Sequence, residues 1–179
     1  SQRAKPVQSV KTKYDPLVAD AVISAQEMDL AIRSARRKNL DIEEVLISEF
    51  QVKLSAIGAA LSKFFNVPYD PYKHDRIKPM DLLKNLKREY LEQNLWLPIE
   101  EGPLGILILT IDPEQVKSSR IVSNVFPKSK LIYHVTTNFE FKQNLDLLFG
   151  AQVETDLSSV GDLLSSMEGE DEDTSLMDA

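Results

Sequence analysis

The chain has 179 residues, of which 42% are hydrophobic, and a net charge of −7 at pH 7. This size and apolar content predict one domain, or two small ones, with real hydrophobic cores. Since the chain has no cysteine, a disulfide framework and a thiolate metal site are excluded, and a reducing, intracellular setting fits. No stretch approaches the roughly 20 apolar residues of a membrane span, so we expect no direct membrane insertion.

The negative charge is concentrated at the C-terminal end. Residues 152–179 contain nine acidic residues and no basic one, whereas the rest of the chain has 19 acids and 21 bases. The body is therefore near neutral, and we expect no nucleic-acid partner. The acidic segment has too little apolar surface to offset its ordering entropy, which predicts a disordered linker or tail.

The first half of the chain predicts helices. Ser24 and Glu27 form a capping box before an amphipathic stretch, and Asp41 with Glu44 caps a shorter helix. A further helix is predicted with one apolar face, formed by Leu54, Ile57, Gly58, Leu61, Phe64 and Phe65.

A weak internal repeat relates these helices. Residues 17–32 align with residues 46–61, so that apolar positions match at a distance of 29 residues. Each unit is predicted to contain a short helix, a tight turn and a longer amphipathic helix. Two such units can bury their apolar stripes against each other.

The stretch SKFFNVPYDPY, residues 62–72, is rich in aromatic residues and raises two alternatives. One is a base-stacking platform, which ordinarily adds a basic groove. The other is a helix end, with Asn66 as a left-handed cap and Tyr69 and Tyr72 folded back over the helix. The two prolines cannot continue a helix, so we favour the second interpretation.

The second half of the chain predicts the order β-β-α-β-α. A broken helix precedes a hairpin with strands at about 95–100 and 105–111, and the second strand is continuously apolar. We therefore expect it to be central in a sheet covered on both faces. A single helix is predicted after Asp112, followed by a strand KLIYHVTT. Thr137 with Glu140 then caps a final helix.

The predicted fold class is thus α+β. An N-terminal helical subdomain of two tandem units (14–70) is followed by a small α/β sandwich (71–150). Residues 1–13 are predicted to be a flexible lead-in, and residues 151–179 an acidic, disordered linker or tail.

Patterns that indicate catalysis are missing. The sequence has no GxxxxGK[ST] loop, and no GxGxxG follows a strand. His74 and His134 lie 60 positions apart without a neighbouring carboxylate pattern. We therefore predict no catalytic residue, no metal ligand and no cofactor in this chain, and no enzyme activity.

Three segments carry a resemblance to a known family. They are the repeat ending in LSKFFNVPY, the stretch YLEQNLWLPIEEGPLGILILTIDPEQV, and the closing IYHVTTNFEFKQNLDLLFG. In this order and spacing they resemble the N-terminal region of the type II secretion and type IV pilus assembly ATPases, general secretory pathway protein E and its relatives (an MshE-N-like domain). The resemblance covers about residues 14–150.

The resemblance implies that the chain is a fragment without catalysis of its own. ATP and Mg are expected only in the motor domain that follows the linker in such proteins. The implied partners are that motor domain and the cytoplasmic domain of an inner-membrane platform protein. The implied location is cytoplasmic, peripherally associated with the inner membrane through partners. A free-standing cytoplasmic adaptor is the alternative.

Some members of this family bind cyclic di-GMP through two tandem repeats, which makes a sensing domain a second alternative. Each family repeat opens with Arg-Leu-Gly, has a later glycine and closes with glutamine. Here the arginine, glycine and glutamine places are taken in the first repeat by Thr12, Tyr14, Ala21 and Ala35, and in the second by Asp41, Glu43, Phe50 and Phe64. Two carboxylates at these places would repel an anionic dinucleotide.

One dense basic cluster is a candidate partner contact: Arg33, Arg36, Arg37 and Lys38. Cations in the last turns of a helix also complement its dipole, and they could contact the acidic tail of the chain itself. These alternatives stay open at the level of the sequence.

Overall fold

A computed structural model describes residues 12–150. Four helices come first: α1 (Asp15–Ala19), α2 (Ala25–Lys38), α3 (Ile42–Phe50) and α4 (Leu54–Phe65). They are followed by α5 (Met80–Leu83), α6 (Arg88–Asn94), β1 (Trp96–Gly102), β2 (Gly105–Thr110), α7 (Pro113–Ser119), α8 (Ile121–Val125), β3 (Leu131–Val135) and α9 (Asn138–Phe149). This order confirms the α+β fold class. The predictions for residues 1–11 and 151–179 lie outside the described residues.

The internal repeat is present in the backbone. Helices α1 and α2 form one unit, and α3 and α4 form the other, each with a short helix before a longer one. The Ile23 N–H donates to the Leu17 carbonyl at 3.3 Å, and the Val52 N–H donates to the Leu46 carbonyl at 3.0 Å. Because these four residues match pairwise across 29 positions, the same turn closes both units.

Helix ends largely follow the predicted caps. The capping box of Ser24 and Glu27 is formed at the start of α2, and Asn66 adopts a left-handed conformation after α4. Asp41 caps α3, but its carboxylate accepts from the Glu43 N–H rather than pairing with Glu44. Glu44 stays exposed while Glu43 turns inward, so the predicted role of Glu44 is wrong.

The two helical units enclose a first hydrophobic core. Its buried face on α4 follows the row Ile57, Leu61 and Phe65. Positions four residues apart are stacked on one side of a helix, which leaves Phe64 about a quarter-turn away. Phe64 is accordingly 44% exposed, contrary to the prediction, and contacts the Phe65 ring edge-on.

The three strands form one sheet in the order β1-β2-β3. β1 and β2 are an antiparallel hairpin in which Trp96 pairs with Thr110, and β3 runs parallel to β2, with Val135 also opposite Thr110. β2 is therefore central, as predicted. It lies within a second core together with buried residues of α5, α6 and α9.

The predicted helix after Asp112 is interrupted. Arg120 has φ of 59° and separates α7 from α8. The two preceding serines explain the break, because the hydroxyls of Ser118 and Ser119 donate to carbonyls three residues earlier. Serine side chains that bond to the local backbone compete with helix propagation.

The segment after α4 joins the two cores. The Val135 N–H donates to the Pro68 carbonyl, and the Asp70 N–H donates to the Val135 carbonyl, each at 2.9 Å. This short parallel bridge places Val135 in the first core although it belongs to the sheet. The division at residue 70 stays a prediction. Within residues 12–150, every helix is too short or too polar to span a lipid bilayer.

Candidate functional site

The predicted basic cluster lies on the outer side of α2, where two of its members border a groove. Arg33 and Arg37 line a groove of about 280 Å³ between α2 and α3, together with Leu30 and Phe50. Arg33 and Arg37 are one helical turn apart, so both side chains project along the same face. The groove thus combines two apolar side chains with two cationic ones.

The one carboxylate that lines this groove is already bonded within the chain. Lys38 Nζ donates to Glu49 Oε2 at 2.6 Å, and Ser34 Oγ donates to Glu49 Oε1 at 2.9 Å. The hydrogen bond from Lys38, followed by that from Ser34, lowers the pKa of Glu49. Lys38 therefore forms an ion pair with Glu49 at the surface of the same chain, and it does not extend the cationic face of Arg33 and Arg37.

The three arginines differ from Lys38 in this respect. Arg33, Arg36 and Arg37 are exposed and form no ion pair with any side chain of residues 12–150. Arg36 lies outside the groove lining. The structure thus brings Arg33 and Arg37 together and separates Arg36 and Lys38 from them.

Sequence reasoning missed the apolar part of this surface. Leu30 is 51% exposed and stands outside the inward stripe of α2, and Phe50 is half-buried at the end of α3. An exposed leucine is common on protein surfaces. Leu30 lies about one turn before Arg33 on α2. Its approach to Phe50 in the same groove could be recognised only once α2 and α3 were packed together.

A second feature lies where the two repeat units meet. The Tyr14 hydroxyl donates to Glu43 Oε2 at 2.7 Å, and the Asn138 N–H donates to Glu43 Oε1 at 2.9 Å. Asn138 Nδ2 also donates to both carboxylate oxygens of Asp41, at 3.0 and 3.1 Å. The start of α9 is thus held by carboxylates from the second repeat unit.

Burial governs the electrostatics of this junction. Glu43 is 2% exposed, and burial raises the pKa of its carboxyl, opposed by the hydrogen bond from Tyr14. Burial, and then the charge of Glu43, raises the pKa of the Tyr14 hydroxyl, so that it remains a donor. In the resemblance, the first glycine place of each repeat is therefore taken by a side chain, and these two side chains bond to each other.

Tyr69 fastens α4 to α9. Its ring lies directly over Gly58, where an added Cβ would be 2.2 Å from the ring carbon Cζ. Its hydroxyl donates to Glu140 Oε1 at 2.7 Å, and the Tyr72 N–H donates to Glu140 Oε2 at 2.9 Å. The aromatic stretch thus forms a helix end over which Tyr69 folds back, as the favoured interpretation predicts. Tyr72 contributes its backbone N–H to this clamp, and the predicted packing of its ring on the helix stays a prediction.

Glu140 serves this clamp and the cap of α9 together. Its N–H donates to Thr137 Oγ1, as predicted, and the Thr137 hydroxyl donates to Glu140 Oε1 at 2.8 Å. Nearby, Arg76 Nη2 donates a hydrogen bond to Asp70 Oδ1 at 3.3 Å, and His134 Nδ1 lies 3.2 Å from Asp70 Oδ2. Each of these groups has a structural partner. In residues 12–150, no group of three or more His, Cys, Asp or Glu side chains is arranged to hold a metal ion.

Two solved structures share this fold. The structure of MshE with cdg is 16% identical and has a TM-score of 0.58, with coverage of 78% of this chain and 100% of that chain. The N-terminal domain of XpsE is 12% identical and has a TM-score of 0.52, with coverage of 77% and 94% respectively. No curated protein matches the sequence.

The family comparison covers the second half of the domain. Residues 65–155 match the MshEN domain family, which is just over half of the chain. This match begins at the end of α4 and includes the clamp, the sheet and α9. The chain therefore belongs to the MshEN domain family, which confirms its recognition as an N-terminal domain of the type II secretion and type IV pilus assembly ATPases.

Proposed function

We propose that this chain is a non-catalytic docking module, which links a secretion or pilus motor ATPase to the cytoplasmic domain of an inner-membrane platform protein. The observation that carries the proposal is the groove between α2 and α3, which is lined by Leu30 and Phe50 together with Arg33 and Arg37. ATP and Mg belong to the motor domain in this proposal. The module is cytoplasmic and reaches the inner membrane through its partner.

The groove suits an acidic, amphipathic segment of the partner. Arg33 and Arg37 present guanidinium groups that can each bind a carboxylate through two parallel hydrogen bonds. Leu30 adds apolar area, from which water is excluded on binding. Glu49 offers little repulsion, because Lys38 and Ser34 already bond to its oxygens.

Cyclic di-GMP sensing is the second candidate, because MshE was solved with cdg, the abbreviation for this dinucleotide. The repeat junction of the present chain argues against it. Tyr14 and Glu43 fill the family's glycine places and bond to each other, and Asp41 takes an arginine place. A dinucleotide would lose backbone access there and would face two carboxylates near its phosphates.

Binding measurements on the full chain test the proposal. We expect the cytoplasmic domain of the cognate platform protein to bind, with an affinity that falls as salt is raised, since exposed charges are screened. Calorimetry with cyclic di-GMP at about 100 μM should give no binding heat. Binding of the nucleotide without binding of the platform protein would reject docking in favour of sensing. The absence of both, in the chain and in the full-length motor protein, would favour a free-standing adaptor.

A further inference from the structure

A larger groove lies on the opposite subdomain, among α5, α6 and α8. It has a volume of about 560 Å³ and is lined by the apolar parts of Leu86, Tyr90 and Phe126. Lys84 and Lys87 stand at its border, together with one acid, Asp81. The border therefore has an excess of positive charge over an apolar floor.

The described chain ends on α6, one of the helices that form this groove. Arg88, the residue after Lys87, donates from Nη1 to the Gly150 carbonyl at 2.6 Å and from Nη2 to Asp146 Oδ1 at 2.6 Å. The guanidinium is 7% exposed, so this attachment is part of the packed structure. The remaining 29 residues of the sequence continue from a point fixed to α6.

The sequence that follows has the complementary composition. Leu157, Val160, Leu163 and Leu164 recur at spacings of three and four, as on one face of a helix. Glu154, Asp156 and Asp162 accompany them, and no basic residue occurs from residue 152 onward. An apolar stripe flanked by carboxylates matches an apolar floor flanked by lysines.

We propose that residues 157–164 bind in the α5–α6 groove of the same chain. The seven residues from Gly150 to Leu157 span up to about 25 Å when extended, which suffices to pass from one side of α6 to the other. Attachment through Gly150 makes the encounter intramolecular, so weak contacts are enough for binding. The segment that leaves the domain then departs from a fixed position on α6, independently of the docking groove on α2.

A spin label tests this proposal in the full-length chain. Because the chain has no cysteine, Ser165→Cys gives a single attachment site. We expect strong paramagnetic broadening of the backbone amide signals of Lys84, Lys87 and Tyr90. The signals of Arg33 and Arg37 should be unaffected.

Two variants and a dilution control make the result decisive. Leu163→Asp with Leu164→Asp increases the acidity of the segment but removes half of its apolar stripe, and should therefore abolish the broadening at α6. Lys84→Glu with Lys87→Glu should do the same. Absence of broadening at α6 in the parent chain would overturn the proposal. Broadening at Arg33 and Arg37 instead would also overturn it, by placing the segment on the other groove. Broadening that disappears when labelled chains are diluted with unlabelled ones would identify a second copy as the occupant and reject intramolecular binding.

Discussion

The Tyr14 hydroxyl is bonded to Glu43 at 2.7 Å, and these two residues stand at matching positions of the two helical units, 29 residues apart. The two equivalent positions of the repeat thus contact each other directly where the two helical units meet. Asn138 adds a bond from the start of α9 to the same carboxylate. The junction is therefore part of the packed interior, with Tyr14 and Glu43 both buried.

Removal of the Tyr14 hydroxyl should destabilise the fold. Tyr14→Phe leaves one oxygen of the buried Glu43 carboxylate without its donor, which should lower the free energy of unfolding by about 1–3 kcal/mol. Urea denaturation measures the change. Tyr72→Phe is the matched control, since Tyr72 bonds to Glu140 through its backbone N–H. Equal losses in the two variants would contradict the assigned role of the hydroxyl.

Stability should depend on pH through Glu43. Burial raises the pKa of its carboxyl above the ordinary value of 4.5, so the folded chain retains a proton that the unfolded chain releases. This contribution is complete below about pH 4.5 and is lost as pH rises through the raised value. Glu43→Gln does not ionise: its one carbonyl oxygen can accept from the Asn138 N–H, and its amide NH2 can donate to the Tyr14 hydroxyl oxygen.

The variant should therefore gain stability relative to the wild type as pH rises above about 4.5, with a plateau once Glu43 is ionised. Urea denaturation across this pH range gives the difference directly. Glu44→Gln, at an exposed neighbouring position, controls for the change in net charge. If the stability of Glu43→Gln relative to the wild type stayed constant or fell as pH rises, the Glu43 carboxyl would not be desolvated in the folded chain.

Gly58 should not tolerate a methyl group. Gly58→Ala would place Cβ 2.2 Å from Tyr69 Cζ, and the Tyr69 ring is held by Glu140. We expect a loss of about 1–3 kcal/mol from overpacking, despite the better helix propensity of alanine. Gly102→Ala is the control, because nothing lies within 4 Å of its added Cβ. A neutral or stabilising Gly58→Ala would show that the tyrosine moves away freely.

Arg88 should contribute more to the stability of the fold than the exposed residues of α6 do. Arg88→Ala removes the bonds to Gly150 and Asp146, and we expect a cost of about 1–3 kcal/mol, moderated because the Asp146 side chain is 37% exposed. Thermal or urea unfolding tests this value. Gln93→Ala, on the same helix, should be close to neutral. If both substitutions were neutral, the end of α9 would not be anchored to α6.

Much of the fold could be predicted because local signals agreed with the tertiary structure. Ser24 with Glu27 marked a helix start, and the apolar run of β2 marked a central strand. The errors arose where a side chain could bond either to a neighbouring residue or to one distant in the sequence. Glu43, rather than Glu44, points inward because it accepts hydrogen bonds from Tyr14 and Asn138. Ser118 and Ser119 interrupt the predicted helix because their hydroxyls donate to the local backbone.

The sequence predicted the basic residues of the candidate site but not the groove that two of them border. The four basic residues stood out as a cluster, and the four-residue spacing of Arg33 and Arg37 predicts that they share a helix face. No local pattern, however, separates Lys38, as an ion-paired cation, from the arginines. That separation depends on Glu49, 11 residues after Lys38, and on the approach of Phe50 to α2. Long-range packing of this kind leaves no spacing signature in a single sequence.

Charge reversal in the α2–α3 groove is the most direct test of docking. The affinity of the full chain for the cytoplasmic domain of the platform protein should be measured for the wild type, for Arg33→Glu with Arg37→Glu, and for Lys142→Glu, an exposed cation on α9. We predict at least a roughly tenfold weaker affinity for the double variant, equivalent to about 1.4 kcal/mol, and little change for Lys142→Glu. An affinity of the double variant equal to that of the wild type would contradict docking through this groove.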